Sequence, residues 1–203
     1  MSNPLDRRSI GLRTVQEAVD LEKQWLVSMT NETRKILVVT TWRSGSTFFG
    51  ELLSSLPASF YYFEPLMMYG QTDLTRPDLQ ARTVHIAHDL LKCHISRWAD
   101  YIELTRNKSY VLEMMNGGVR RACQADSDRN GSLCHDGRFL DEACRMHPIH
   151  VMKTVRLTMR SAQELLASED LADLQVIFLV RDPRATVTSR MKTDWCIEPT
   201  CSR

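Results

Sequence analysis

Arg43-Ser44-Gly45-Ser46-Thr47 sets an arginine, a glycine and three hydroxyls in a row, between the apolar run Ile36 to Val39 and the apolar-periodic stretch Phe48 to Leu56. A loop between a buried strand and a helix points backbone N–H groups and the positive end of the helix dipole at whatever lies in front of it. Ser44, Ser46 and Thr47 add hydroxyl donors, Gly45 permits close approach, and Arg43 adds a fixed charge. The chemistry is that of an anion cradle for phosphate or sulfate. It is not a nucleotide-triphosphate loop of the G-x-x-x-x-G-K-[ST] type, because it has a single glycine and no following lysine.

A second basic junction stands at "VIFLVRDPRATVTSRM". Arg181 follows an apolar strand directly, Asp182-Pro183 makes the turn, and a helix over 184–191 returns Ser189 towards the strand end about two turns in. Arginine and serine together suit a second phosphate; the alternative is that Asp182 caps the helix and the arginines are solvated. A third candidate is Glu64, just beyond the aromatic stretch Phe60-Tyr61-Tyr62-Phe63. A sheltered carboxylate beside the cradle fits a general base, or else a structural acceptor for loop N–H groups. Cys134-His135, Cys144 and His147 invite a zinc reading, but the C-x-x-C pair of such sites is lacking.

The elements that must position these groups alternate. A helix is expected over Thr14 to Met29, a strand at Ile36 to Val39, a helix at Phe48 to Leu56, and an aromatic strand at Ser59 to Leu66 ended by Pro65. Asp78 to Ile102 carries apolar residues at helical spacing, as one long helix or two, with Pro77 near its start. "SYVLEMM" is a strand candidate, and Gly117 to Met146 reads as a polar surface excursion. "IHVMKTVRL" is another strand, Ser161 to Glu164 a capping box opening a helix to about Ala167, and Leu174 to Val180 a continuous apolar run of the central-strand kind. The whole predicts an α/β fold of three layers, a parallel sheet covered on both faces. Ligands of such sheets bind beyond the carboxyl ends of the strands, where Arg43 and Arg181 fall.

The totals agree with one domain of 203 residues, 43% hydrophobic and 25% charged. The net charge of +1 offers no excess of basic residues for a nucleic-acid partner, so any anion site is local. Six cysteines and sequons at Asn31, Asn107 and Asn130 point to an oxidising, glycosylating lumen and to disulfides, without choosing among pairings. No apolar run reaches the roughly 18 to 20 residues that span a bilayer, and "MSNPLDRRSIGL" has no signal-peptide core.

"WRSGSTF", "FEPL" and "FLVRDPRATVTSRM", in that order and spacing, resemble the Golgi carbohydrate sulfotransferases, in particular the branch that sulfates the 6-hydroxyl of galactose, N-acetylgalactosamine or N-acetylglucosamine. The likeness runs from about Arg34 to Met191. It implies a sulfotransferase fold with a P-loop-like phosphosulfate loop, 3′-phosphoadenosine 5′-phosphosulfate as donor, a glycan or glycosaminoglycan acceptor, and no metal. By this resemblance Arg43, Ser44, Gly45, Ser46 and Thr47 hold the 5′-phosphosulfate, Arg181 and Ser189 hold the 3′-phosphate, and Glu64 is the base, with Arg43 at the reacting charge. Lys153 and Arg156 receive no role beyond lining the site. It further implies a Golgi lumenal place, with 1–33 as a helical lead-in and 34–203 as the sulfotransferase domain. The family's membrane anchor and its later carboxyl-terminal strand and helix have no counterpart here, so both ends read as cut. Rival readings are a sulfotransferase-fold protein that binds nucleotide or glycan without turnover, and a kinase with a degenerate phosphate loop. The kinase lacks its lysine and its magnesium carboxylates.

Overall fold

The computed structural model describes residues 33–56, 58–70, 77–108, 110–111, 119–120, 123 and 132–194. The expected helix over Thr14 to Met29, the lead-in to residue 32, and the sequons at Asn31 and Asn130 lie outside them. Four parallel strands make the sheet: β1 (Arg34–Thr40), β2 (Ser59–Phe63), β3 (Ile149–Thr154) and β4 (Leu174–Leu179), in the order β2-β3-β1-β4. Two adjacent tyrosines show how it is covered. Successive strand residues point to opposite faces, and Tyr61 lies against Gly50 of α1 (Ser46–Ser54) while Tyr62 donates to the Leu90 carbonyl of α2 (Pro77–Leu91) at 2.6 Å. The two helices therefore sandwich the sheet. Gly50 is required there, since a Cβ would collide with the Tyr61 ring.

The stretch from Asp78 to Ile102 is two helices. α2 stops at Leu91; Cys93 takes a left-handed φ of 58°, and α3 (Ala99–Asn107) follows a short 3-10 turn over Ile95–Arg97. Two expectations are corrected nearby. Tyr110 and Val111 of "SYVLEMM" are helical, not extended, because the Val111 N–H turns back onto the Lys108 carbonyl at 2.8 Å and drops its side chain into the core. The remainder of that stretch lies outside the described residues. The excursion Gly117 to Met146 ends in α4 (Gly137–Arg145), whose Leu140, Ala143 and Cys144 join the core. Asp136 caps it, accepting from the N–H groups of Arg138 and Phe139.

The helix α5 (Met159–Leu166) is opened by Thr158, whose hydroxyl accepts from the Ser161 N–H at 3.1 Å, so the cap falls three residues before the predicted box. β4 is an edge strand, not a central one: only β1 pairs with it among the described strands, and Phe178 is 50% and Val180 69% exposed. A continuous apolar run signals burial on both faces but says nothing of rank in the sheet. α6 (Pro183–Arg190) follows it, capped by Asp182.

Disulfides join Cys93 to Cys144 and Cys123 to Cys134. The proposed zinc ligands are thereby separated, since Cys134 and Cys144 belong to different bridges. Cys93, Cys144 and His150 do converge in the core, but both sulfurs there are already bonded to each other. Cys196 and Cys201 lie outside the described residues. No helix among the described residues is long and apolar enough to cross a membrane.

Candidate active site

The segments that leave β1 and β2 each hold a residue other than glycine at positive φ: Arg43 at 65° and Glu64 at 46°. Such backbone costs on the order of 1–3 kcal/mol and persists only where surroundings dictate it. At the end of β1, Gly45 is also left-handed, at φ 87°, and stands as the N-cap of α1 without a side-chain cap. The first-turn N–H groups of α1 thus face outwards with no capping oxygen, a ready anion site. Ser44 and Ser46 are buried, whereas Arg43, Gly45 and Thr47 are exposed. Thr40 fastens the loop from below, its hydroxyl lying 2.7 Å from both Ser44 Oγ and the Leu179 carbonyl.

The second basic junction closes onto this loop. Arg43 Nε donates to Ser189 Oγ at 2.9 Å across 146 residues of chain. Arg181 Nη1 donates to the Arg43 carbonyl at 3.1 Å, and Arg190 Nε to the Trp42 carbonyl at 3.3 Å. Parallel pairing of β1 with β4 causes this: Thr40 registers with Leu179, so the loops leaving both strands emerge side by side. Asp182 caps α6 through the Arg184 N–H at 2.9 Å and pairs with the Arg184 side chain, which together hold its carboxyl below the usual range. Capping by Asp182 and the approach of Arg181 to the cradle therefore coexist.

Glu64 is 3% exposed and held by three donors. Its Oε1 accepts from Lys153 Nζ at 2.8 Å, and its Oε2 from Arg156 Nη1 at 2.9 Å and from the Val155 N–H at 3.2 Å. Lys153 is equally buried, with its ammonium 4.6 Å from the Phe63 ring centre. Arg156 also donates to the Gly70 carbonyl at 2.7 Å and lies 5.5 Å from the Trp42 ring centre. Burial, then the charges of Glu64 and Glu51, push the Tyr61 phenol well above its ordinary range, so it stays protonated. The predicted residues thus fall into two groups, Arg43 to Thr47 with Arg181 and Ser189, and Glu64 apart with Lys153 and Arg156. The signal for the second pair was a lysine within β3 and an arginine two residues past its end, in the stretch "IHVMKTVRL".

The histidines on α2 and in the turn after it serve a different cluster. His85, His88 and His94 approach the buried Asp89 at 3.7, 3.8 and 3.6 Å, beside Arg97 and the Trp98 indole. Burial raises the Asp89 pKa, but the Trp98 hydrogen bond and the charges of Arg97 and His85 outweigh it, and the net shift is downward.

A parallel α/β sheet with two basic loops meeting at its carboxyl end is an anion-binding kind of fold and site. The sulfotransferase domain family matches residues 33–201, and the chain belongs to that family. Its relatives include carbohydrate sulfotransferase 6 of Homo sapiens, 33% identical over 178 residues, 78% of this chain and 44% of that protein. Carbohydrate sulfotransferase 5 of Mus musculus is 31% identical over 175 residues, 78% of this chain and 44% of the relative. Carbohydrate sulfotransferase 4 of Mus musculus is 31% identical over 189 residues, 82% and 48% respectively. The chain spans less than half the length of these relatives. No solved structure matches it.

Proposed function

We propose that this domain transfers a sulfuryl group from 3′-phosphoadenosine 5′-phosphosulfate to a sugar hydroxyl, the 6-hydroxyl of a hexose in a glycan or glycosaminoglycan. The observation that carries the reading is the meeting of Arg43 with Ser189, and of Arg181 with the Arg43 backbone, at one end of the sheet. In this reading the loop Arg43 to Thr47 is a P-loop-like cradle for the 5′-phosphosulfate, and Arg181 and Ser189 take the 3′-phosphate. A guanidinium forks onto two phosphate oxygens while a hydroxyl donates to a third.

The acceptor oxygen attacks sulfur in line with the bond to the leaving phosphate oxygen; the S–O bond to the acceptor forms as that bond breaks, and adenosine 3′,5′-bisphosphate departs. Arg43 and the α1 N–H groups offset the negative charge that gathers on the leaving phosphate. Glu64 receives the acceptor's proton. Its Oε1 accepts only the Lys153 bond and so retains an acceptor position, whereas Oε2 already takes two. The proposed setting is the Golgi lumen, in keeping with the disulfides.

The test is transfer of radiolabelled sulfate from the donor to a panel of glycan acceptors, with linkage analysis of the product. It is paired with calorimetric titration of adenosine 3′,5′-bisphosphate. Label on a sugar 6-hydroxyl is the expected outcome. Bisphosphate binding without label makes the domain a nucleotide-binding module, and no binding removes the donor assignment altogether.

A further inference from the structure

Arg156 belongs to neither predicted phosphate element, yet its guanidinium touches three separate stretches around the site. Nη1 donates to Glu64 Oε2 at 2.9 Å, Nε donates to the Gly70 carbonyl at 2.7 Å, and its planar face approaches the Trp42 indole with 5.5 Å to the ring centre. Its own backbone N–H is fixed on Thr154 Oγ1 at 3.1 Å, and its side chain is 10% exposed. Trp42 immediately precedes Arg43, and its carbonyl takes Arg190 Nε from α6. The ring of Trp42 is thus gripped from the Glu64 side while its backbone is gripped from the Ser189 side.

We infer that Arg156 is a positioning residue that locks the Arg43 cradle to the Glu64 side of the site, setting the distance between donor and acceptor groups. The inference rests on the sulfuryl-transfer reading above and names a residue which that reading does not use. Chemistry favours arginine over lysine at this point. The contacts need a flat cation with divergent N–H groups, one edge for a carboxylate, another for a carbonyl, and a face for an indole. An ammonium could keep the charge pairing with Glu64 but could not hold all three. Lys153 is the contrasting case: its ammonium pairs with Glu64 and faces Phe63, both at the end of β2.

The coupling is read through the binding of adenosine 3′,5′-bisphosphate. Calorimetric titration is run on the unaltered chain, on Arg156→Lys, on Trp42→Leu and on the double variant, with a thermal melt of each to establish folding. Arg156→Lys keeps the charge, so its melting temperature should stay close to that of the unaltered chain. Its bisphosphate affinity should fall about tenfold, within the range of coupling between residues in contact. Trp42→Leu should lose a similar factor, and the double variant little more than either, because both remove one linkage. Unaltered affinity in Arg156→Lys, or losses that multiply in the double variant, overturns the positioning role while leaving the sulfuryl-transfer reading intact. If the unaltered chain fails to bind bisphosphate, that reading falls and the inference falls with it.

Discussion

The two halves of the site treat their charges in opposite ways. Around Arg43 and Arg181 the cations are exposed and bond only to neutral oxygens, Ser189 Oγ and a backbone carbonyl; among the described residues neither forms an ion pair. Around Glu64 every charge is paired and almost sealed from solvent, with Lys153 and Glu64 each 4% exposed in their side chains. Cations left without a carboxylate are poised for an anion from outside. Cations already satisfied by a buried carboxylate instead hold geometry, and removing one partner strands the others. The difference separates a surface that waits for a ligand from a scaffold that sets where the ligand's reacting end must come.

The sharpest way to break this contrast is Glu64→Gln. It leaves Lys153 and Arg156 buried beside a neutral amide, and breaking a buried pair in this manner costs roughly 3–5 kcal/mol. If Glu64 is the base, sulfate transfer should also fall by roughly a hundredfold or more, well beyond any loss of bisphosphate affinity that follows from loosening Arg156. Chemical denaturation and steady-state kinetics on the same preparations read the two effects separately. Near-normal turnover in the variant would remove Glu64 as base and leave it a purely structural acceptor.

Next in size is the Cys93–Cys144 bridge, which closes a 51-residue separation and ties α4 to the turn after α2. Loop-closure arithmetic gives about 4 kcal/mol for such a span. A Cys93→Ala, Cys144→Ala double variant should therefore be less stable by an amount of that order. Thiol counting on the denatured, unreduced chain should find at most two of the six cysteines free. Finding four free would remove one of the two bridges, and finding six would remove both.

At the exposed end the effects should be on binding and hardly on stability. Arg181→Ala removes a charge-assisted fork to the 3′-phosphate and should weaken bisphosphate binding by on the order of 2–3 kcal/mol. Its unfolding free energy should move by less than about 0.5 kcal/mol, as for other surface substitutions. Arg43→Ala should lower turnover more than binding, because its charge is needed where the leaving phosphate gathers charge. If either arginine proves essential for folding, the distinction between waiting surface and sealed scaffold is lost.

This division also explains what could be read from residues alone. The strand–loop–helix junctions at Arg43 and Arg181 are local, because strand, loop and helix start lie within about a dozen residues, and the patterns carry them. Their union is also foreseeable, since loops at the carboxyl ends of neighbouring parallel strands must face the same way. The Glu64 node is different. It depends on Phe63 registering with Lys153, a pairing set by the order of strands and not by any local motif. The edge position of β4 and the partner of Cys93 escape for the same reason. The α4 helix escapes differently: a nine-residue segment is too short to show a sustained apolar period.

The smallest expected effect concerns His150, on the sealed side of the sheet. Its ring lies between the Leu91 carbonyl at 3.3 Å and the Cys144 carbonyl at 3.1 Å, next to the Cys93–Cys144 bridge. Burial lowers its pKa against the opposing pull of those carbonyls, so the folded protein holds a neutral ring where the unfolded chain would take a proton. Between the folded and unfolded values the unfolded state binds more protons, and stability must rise with pH through that window. Acidification below about pH 6.5 should therefore destabilise the domain, with a slope from this group of at most about 1.4 kcal/mol per pH unit. His135, lowered by burial and by Arg106, adds a slope of the same sign. Denaturation curves across mildly acidic pH should show His150→Gln with a shallower dependence than the unaltered chain. An identical dependence would mean that the ring binds protons equally in the folded and unfolded states, the pull of the two carbonyls cancelling the effect of burial.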